Sequence, residues 1–310
     1  MLFNHYIMVD WSARHGASPQ KPGPDAIWIG NLDLDHLVSE EQYFRTRAQA
    51  FAHIRFLVGE AHAQKKRVLL GLDFSFGFPT GLSSILKLQA TGPPWKALWR
   101  EIHHRISDDA RNHNNRFKVA AELNALADGK QAGPWWGVPA SQASHQLKPR
   151  SPGFPWADKD GVKLNRLRLT EQRLTGVQES WKLFGIGSVG GQTLVGIPYL
   201  QDLLRHPRLG EHIRIWPFET GFTQDPFQAI QWGTVVAEIW PGIVEREVQI
   251  LMERNPGLVR DQAQVRCLCQ WLAEQDKAHR LRSTFESPRE LGTTELHRCE
   301  TEEGWILGSP

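Results

Sequence analysis

The sequence predicts an α/β fold, a mixed sheet flanked by helices, with a helical and loop-rich insertion that carries many tryptophans. Three observations lead there. Two short, continuously apolar runs, His5 to Asp10 and RVLLGLDF from Arg67, suit buried strands. Between them, Phe51, Ile54, Leu57, Val58 and Ala61 recur at helical spacing. After residue 80 this alternation stops, and a Pro-, Gly- and Trp-rich stretch spans residues 133–161.

Taken in order, His5 to Asp10 is the first strand. The turn GASPQKPGPD leads to a second strand over Ala26 to Leu32, and Leu37 to Phe44 is a weaker third. The helix runs from Thr46 to Lys65, and RVLLGLDF is the strand at the centre of the sheet. Pro94 to Ser107 is an amphipathic helix carrying Trp95, Leu98, Trp99, Ile102 and Ile106, and Arg116 to Ala127 is another. A helix is expected from Thr193 to Arg205. Sheet signals return in HIRIWPFE and TVVAEIWPG, followed by helices over Ile243 to Arg254 and Val259 to Arg280. The polar tail ending EEGWILGSP is expected to pack loosely. The whole reads as one elaborated domain, residues 1–310, with residues 80–210 as an insertion or cap.

Composition narrows the function. The hydrophobic share of 40% and charged share of 23% are those of a globular protein, and the net charge of +2 neither demands nor forbids a polyanionic partner. There are three cysteines; Cys267 and Cys269 stand two apart in one predicted helix, where they do not face each other. No apolar run approaches the ~18 residues of a membrane span. These features predict a cytoplasmic protein with no membrane association. The 13 tryptophans, among them Trp135, Trp136 and Trp156, either anchor loops or offer stacking surfaces to a planar ligand.

The chemistry rests on carboxylates. In open α/β sheets, reactive groups collect at the carboxyl ends of strands. Asp10 ends the first strand and Asp73 the central one, so parallel neighbours would put both acids in one crevice. Like charges that close need a divalent cation, and hard carboxylate oxygens suit Mg²⁺ or Mn²⁺. Glu238 ends the third apolar run, with Glu219 competing for its role. Asp261 precedes Val265, Leu268 and Leu272 by four, seven and eleven residues and so shares their inward helix face. Each has a plainer explanation: a strand-ending turn for Asp10 and Asp73, an edge-strand residue for Glu238, a charge–dipole contact for Asp261.

VDWSA, LDFSFGFP, EIWPG and a late helix opening with DQAQ occur in that order. Together they resemble the motifs of an RNase H-like family of predicted nucleases, related at fold level to Holliday-junction resolvases. The resemblance implies an RNase H-like fold and a Mg²⁺- or Mn²⁺-dependent nuclease acting on nucleic acid or a nucleotide. Asp10, Asp73 and Asp261 take the metal-ligand positions, with Glu238 as a further catalytic acid. Gln262 and Gln264 stand where the family carries acids. RLRLTEQRL resembles the family's arginine–acid–arginine stretch, which makes Arg168, Glu171 and Arg173 candidate substrate contacts beside Trp135 and Trp136; a solvated charged face is the other explanation. The resemblance covers the first ~80 and last ~100 residues.

Two rivals share the sheet pattern. An actin-like ATP-binding phosphotransferase would use a glycine-rich turn, and GIGSVGGQTLVG, residues 185–196, could cradle phosphates there. A catalytically inactive RNase H-like binding module would keep the fold without the metal.

Overall fold

The computed structural model describes residues 1–88 and 92–310. Its first half contains strands β1 (His5–Asp10), β2 (Ile27–Asp33) and β3 (Val38–Phe44), helix α1 (Arg47–Ala63), strand β4 (Arg67–Leu72), and helices α2 (Leu82–Ile85), α3 (Pro94–Arg105) and α4 (Arg116–Ala127). A short ribbon, β5 (Trp156–Ala157) with β6 (Lys163–Leu164), precedes α5 (Val189–Leu204). The remainder is β7 (Ile213–Ile215), β8 (Gly233–Glu238), α6 (Glu245–Arg254), α7 (Arg260–Lys277), α8 (Leu281–Thr284) and α9 (Thr293–Arg298).

Six strands form one mixed sheet in the order β3-β2-β1-β4-β8-β7. The pairs β1–β2 and β2–β3 are antiparallel, whereas β1–β4, β4–β8 and β8–β7 are parallel. Alternate side chains of β1 serve opposite faces, as the pleat requires. Ile7 and Val9 join one core with α1, α3, α4 and α5. Tyr6 and Met8 join the other, with α6, α7 and the chain's end. The sheet is therefore covered on both sides, which explains why β1 and β4 read as unbroken apolar runs.

Helix α7 lies close on β2. A Cβ on Gly30 would stand 2.8 Å from the Val265 carbonyl oxygen, so only glycine admits this approach. That contact fixes where the first turn of α7 arrives. At the other end of the order, Trp135, Trp156, Trp181 and Trp216 are fully buried, so these tryptophans act as anchors for the long loops.

Two expectations are corrected. Helix α5 begins at Val189, within the glycine-rich turn, rather than at Thr193. The tail does not pack loosely: Trp305, Ile306 and Leu307 are buried, Ile306 bridges to Glu238, and the Leu307 amide donates to the Glu238 carbonyl at 2.8 Å. The charged residues of EEGWILGSP hide the fact that its apolar trio completes the core beside β8. No helix among the described residues is long and apolar enough to cross a membrane.

Candidate active-site cleft

Parallel pairing of β1 with β4 aligns Val9 with Leu72, so Asp10 and Asp73 emerge side by side at the carboxyl end of the sheet. Their carboxyl groups lie close enough to act on each other directly. Asp73 is held in place by its own neighbours: the Trp11 amide donates to Oδ1 at 2.6 Å, and the Asp73 amide donates to the Val9 carbonyl at 3.3 Å. Asp261, in the first turn of α7, reaches the same region. Its Oδ2 accepts the Asp25 amide at 3.1 Å. Asp25 has a left-handed backbone (φ 61°), a conformation aspartate tolerates, and this turn presents its amide to Asp261.

Electrostatics at this point are unbalanced. Burial, then the charges of Asp73 and Asp261, push the Asp10 carboxyl well above the usual range. Burial pushes Asp73 up to about 7 despite the Trp11 amide, and burial also raises Asp261. Among the described residues, Asp10, Asp25, Asp73 and Asp261 make no ion pair with any lysine, arginine or histidine. Buried carboxyl groups this close are relieved by a proton or a cation between them. Hard oxygen donors of this kind fit Mg²⁺ or Mn²⁺ chemically. As they stand, no group of three or more His, Cys, Asp or Glu side chains among the described residues is arranged to hold an ion, so a third ligand has to move in or be water.

Asp10, Asp25 and Asp261 open into a cleft of about 920 Å³, whose lining does not include Asp73. These three acids line one part of it; Arg14, Arg116 and the Phe184–Ser188 turn line another. Gln264 also reaches the cleft, whereas Gln262 bonds Glu41 at 3.3 Å.

The other expected site residues lie elsewhere. Glu238 is one register step from Asp73, across β4–β8, but both its oxygens are committed: Oε1 accepts from Arg168 at 2.5 Å, and Oε2 accepts from Arg168 at 2.8 Å and the Phe76 amide at 3.0 Å. Arg168 is fully buried and also donates to Glu171 at 2.7 Å and to the Glu303 carbonyl at 2.8 Å. Arg168, Glu171 and Glu238 thus form an internal ion-pair network under the cleft, not contacts that solvent or substrate can reach. Arg173 is half-buried over Trp305 and paired with the exposed Glu290 at 2.8 Å. Trp135 is sealed in the core against Phe78 and Trp181. Trp136 donates to Glu179 beside a smaller, separate cavity. Glu219 bonds the Ile215 amide at 3.1 Å, away from the acids.

Sequence reasoning missed Asp25 and Arg116. Asp25 could have been found from its place just before β2, whose Trp28 faces Asp10. Arg116 gave no local signal, because only the packing of α4 against α5 brings it to the cleft.

No protein-family model, curated protein or solved structure matches the chain.

Proposed function

We propose that this chain is a divalent-metal-dependent phosphodiester hydrolase on an RNase H-like sheet, with Asp10 and Asp73 as the principal ligands of Mg²⁺ or Mn²⁺. The observation that carries the reading is the Asp10–Asp73 contact at adjacent parallel strand ends, joined by Asp261 and without a basic partner. The strand order, with an antiparallel β2 between β3 and β1 and parallel β4 and β8 beyond, supports the fold that the motifs imply.

A bound divalent ion would supply charge neutralisation and an activated water for attack on a phosphodiester. The chain's own residues prepare that site. Asp10 and Asp73 would offer their carboxylate oxygens to the ion. The Trp11 amide fixes the Asp73 carboxylate, and the Asp25 amide holds Asp261 at the edge of the cleft. The Arg168–Glu238 pair steadies the segment after Asp73 through the Phe76 amide and, via Arg168, the Ser75 hydroxyl at 3.1 Å.

A single six-stranded sheet beside a two-stranded ribbon counts against the actin-like alternative, which needs a second sheet of the same kind. Gln264 in the cleft, where the family has an acid, favours the inactive binding module as the second reading. One assay separates them. Labelled single-stranded, duplex and branched DNA and RNA are incubated with protein in Mn²⁺ or in EDTA. The hydrolase reading expects Mn²⁺-dependent cleavage that Asp10→Asn lowers more than ~100-fold, since even outer-shell changes cost 10–100-fold. Binding of these substrates without cleavage under any condition would sink it in favour of the binding module.

A further inference from the structure

The cleft also holds a positive region that the acids do not explain. Arg116, the first residue of α4, is only 6% exposed yet lines the cleft. Its Nη1 donates to Asn114 at 2.9 Å, and its Nε has no hydrogen-bond partner among the described residues. The nearest carboxylate that could neutralise it, Asp108, is already taken by Arg47 at 2.6 and 2.7 Å and by the Tyr199 hydroxyl at 2.9 Å. A buried guanidinium with an unused donor points to an absent anion.

The first turn of α5 lies against the same group. A Cβ on Gly191 would stand 3.5 Å from Arg116 Nε and 2.8 Å from the Leu183 carbonyl oxygen, so glycine lets this turn approach the guanidinium. Ser188, at the N-cap, makes no capping hydrogen bond, and with Gly185 and Gly187 it lines the cleft. Among the described residues no side chain caps this 16-residue helix; its Gly191 amide donates to the Lys182 carbonyl at 3.3 Å, so Ser188 is the part of the helix start left open to the cleft. The two regions are joined through one residue: Trp11 donates its amide to Asp73 and accepts Gln192 of α5 on its carbonyl.

We propose that Arg116, with Ser188 and the Gly185–Gly187 turn that leads into α5, forms an anion subsite that takes a phosphate group of the substrate. The subsite deepens the hydrolase reading and rests on it for the identity of the substrate, but anion binding itself needs no metal. Burial, and then the neighbouring Arg47, push the Arg116 guanidinium down to about 10, the behaviour of a cation short of a counter-charge. Phe117 and Phe184, in edge contact at the rim, would border the group that carries the phosphate.

Calorimetric titration of the full chain with inorganic phosphate, in EDTA so that no divalent ion contributes, tests the subsite. Arg116→Gln removes the guanidinium. Ser188→Asp places a negative charge at the mouth while supplying a good N-cap, so it folds even if Arg116→Gln does not. Wild-type binding that weakens at least ~10-fold in each folded variant is the expected result. Wild-type protein that binds no phosphate, or unchanged affinity in either folded variant, overturns the proposal. A nucleoside monophosphate and a short single-stranded oligonucleotide are titrated in parallel. Dependence on Arg116 for one or both supports the subsite and names the carrier, and independence of both overturns it. Because metal is absent throughout, failure here leaves the Asp10–Asp73 reading standing, and loss of cleavage there leaves phosphate binding intact.

Discussion

Two groups of acids gather around adjacent strand ends of one sheet, Glu238 with Glu171 and Asp10 and Asp73 with Asp261, and they are treated in opposite ways. Below the cleft, Glu238 and Glu171 close on Arg168, and every polar atom of that guanidinium has an acceptor. At the cleft, Asp10, Asp73 and Asp261 gather with backbone amides but no cation. A network in which each carboxylate meets a guanidinium is what a fold needs when it buries charge. Carboxylates left without a basic partner at the end of a parallel sheet cost stability, and such cost is tolerated where a ligand is to be bound. One set of acids is thus paired within the fold and the other is left open beside the cleft, although Glu238, Asp10 and Asp73 come from neighbouring strand ends.

The largest effect that would break this division comes from Arg168. Arg168→Met leaves Glu171 and Glu238 buried without a partner, and the expected loss is about 3–5 kcal/mol in urea unfolding. Combining it with Glu238→Gln should recover part of that loss. If Arg168→Met were as stable as wild type while abolishing metal binding, the network would belong to the site and the division would fail.

The next effect concerns the open acids. Because Asp10, Asp73 and Asp261 are raised, with Asp73 at about 7, the folded chain binds more protons than the unfolded chain between about pH 4 and 7. Metal-free protein should therefore lose stability as pH rises through that window. Asp10→Asn should flatten the decline and, at pH 8 without divalent ions, stabilise the fold by on the order of 1 kcal/mol. Denaturation curves at pH 5 and pH 8 check both the slope and its sign. An equal decline in Asp10→Asn would place the titrating groups elsewhere.

The smallest effect is at Arg173, whose partner Glu290 is exposed. Arg173→Ala should change stability by less than ~1 kcal/mol and leave cleavage unaltered. A large loss of cleavage would return this arginine to the substrate path.

The sequence made the sheet legible because β1 and β4 are buried on both faces and so appear as uninterrupted apolar runs ending in Asp10 and Asp73. Asp261 was legible from its helix face, since α7 presents one apolar stripe to the sheet. Glu238 looked like a member of the same set because its strand ends in the same place; nothing local reveals that Arg168, 70 residues earlier, arrives to claim it. Trp135 was equally ambiguous, since proline and glycine around a tryptophan mark a loop without saying which way the indole turns. In the tail, charged residues masked the apolar Trp305–Leu307 segment. Arg116 was invisible for a different reason: its meaning depends on which carboxylates are already occupied, and that is decided only by the tertiary fold.

The central claim, that the open acids form a cation site and the closed ones do not, is tested most directly by Mn²⁺ calorimetry on wild type, Asp10→Asn, Asp73→Asn and Glu238→Gln. The account predicts wild-type binding at neutral pH that both aspartate substitutions abolish and that Glu238→Gln leaves within about tenfold of wild type. Folded wild-type protein that binds no Mn²⁺, or binding that survives both aspartate substitutions, would contradict it.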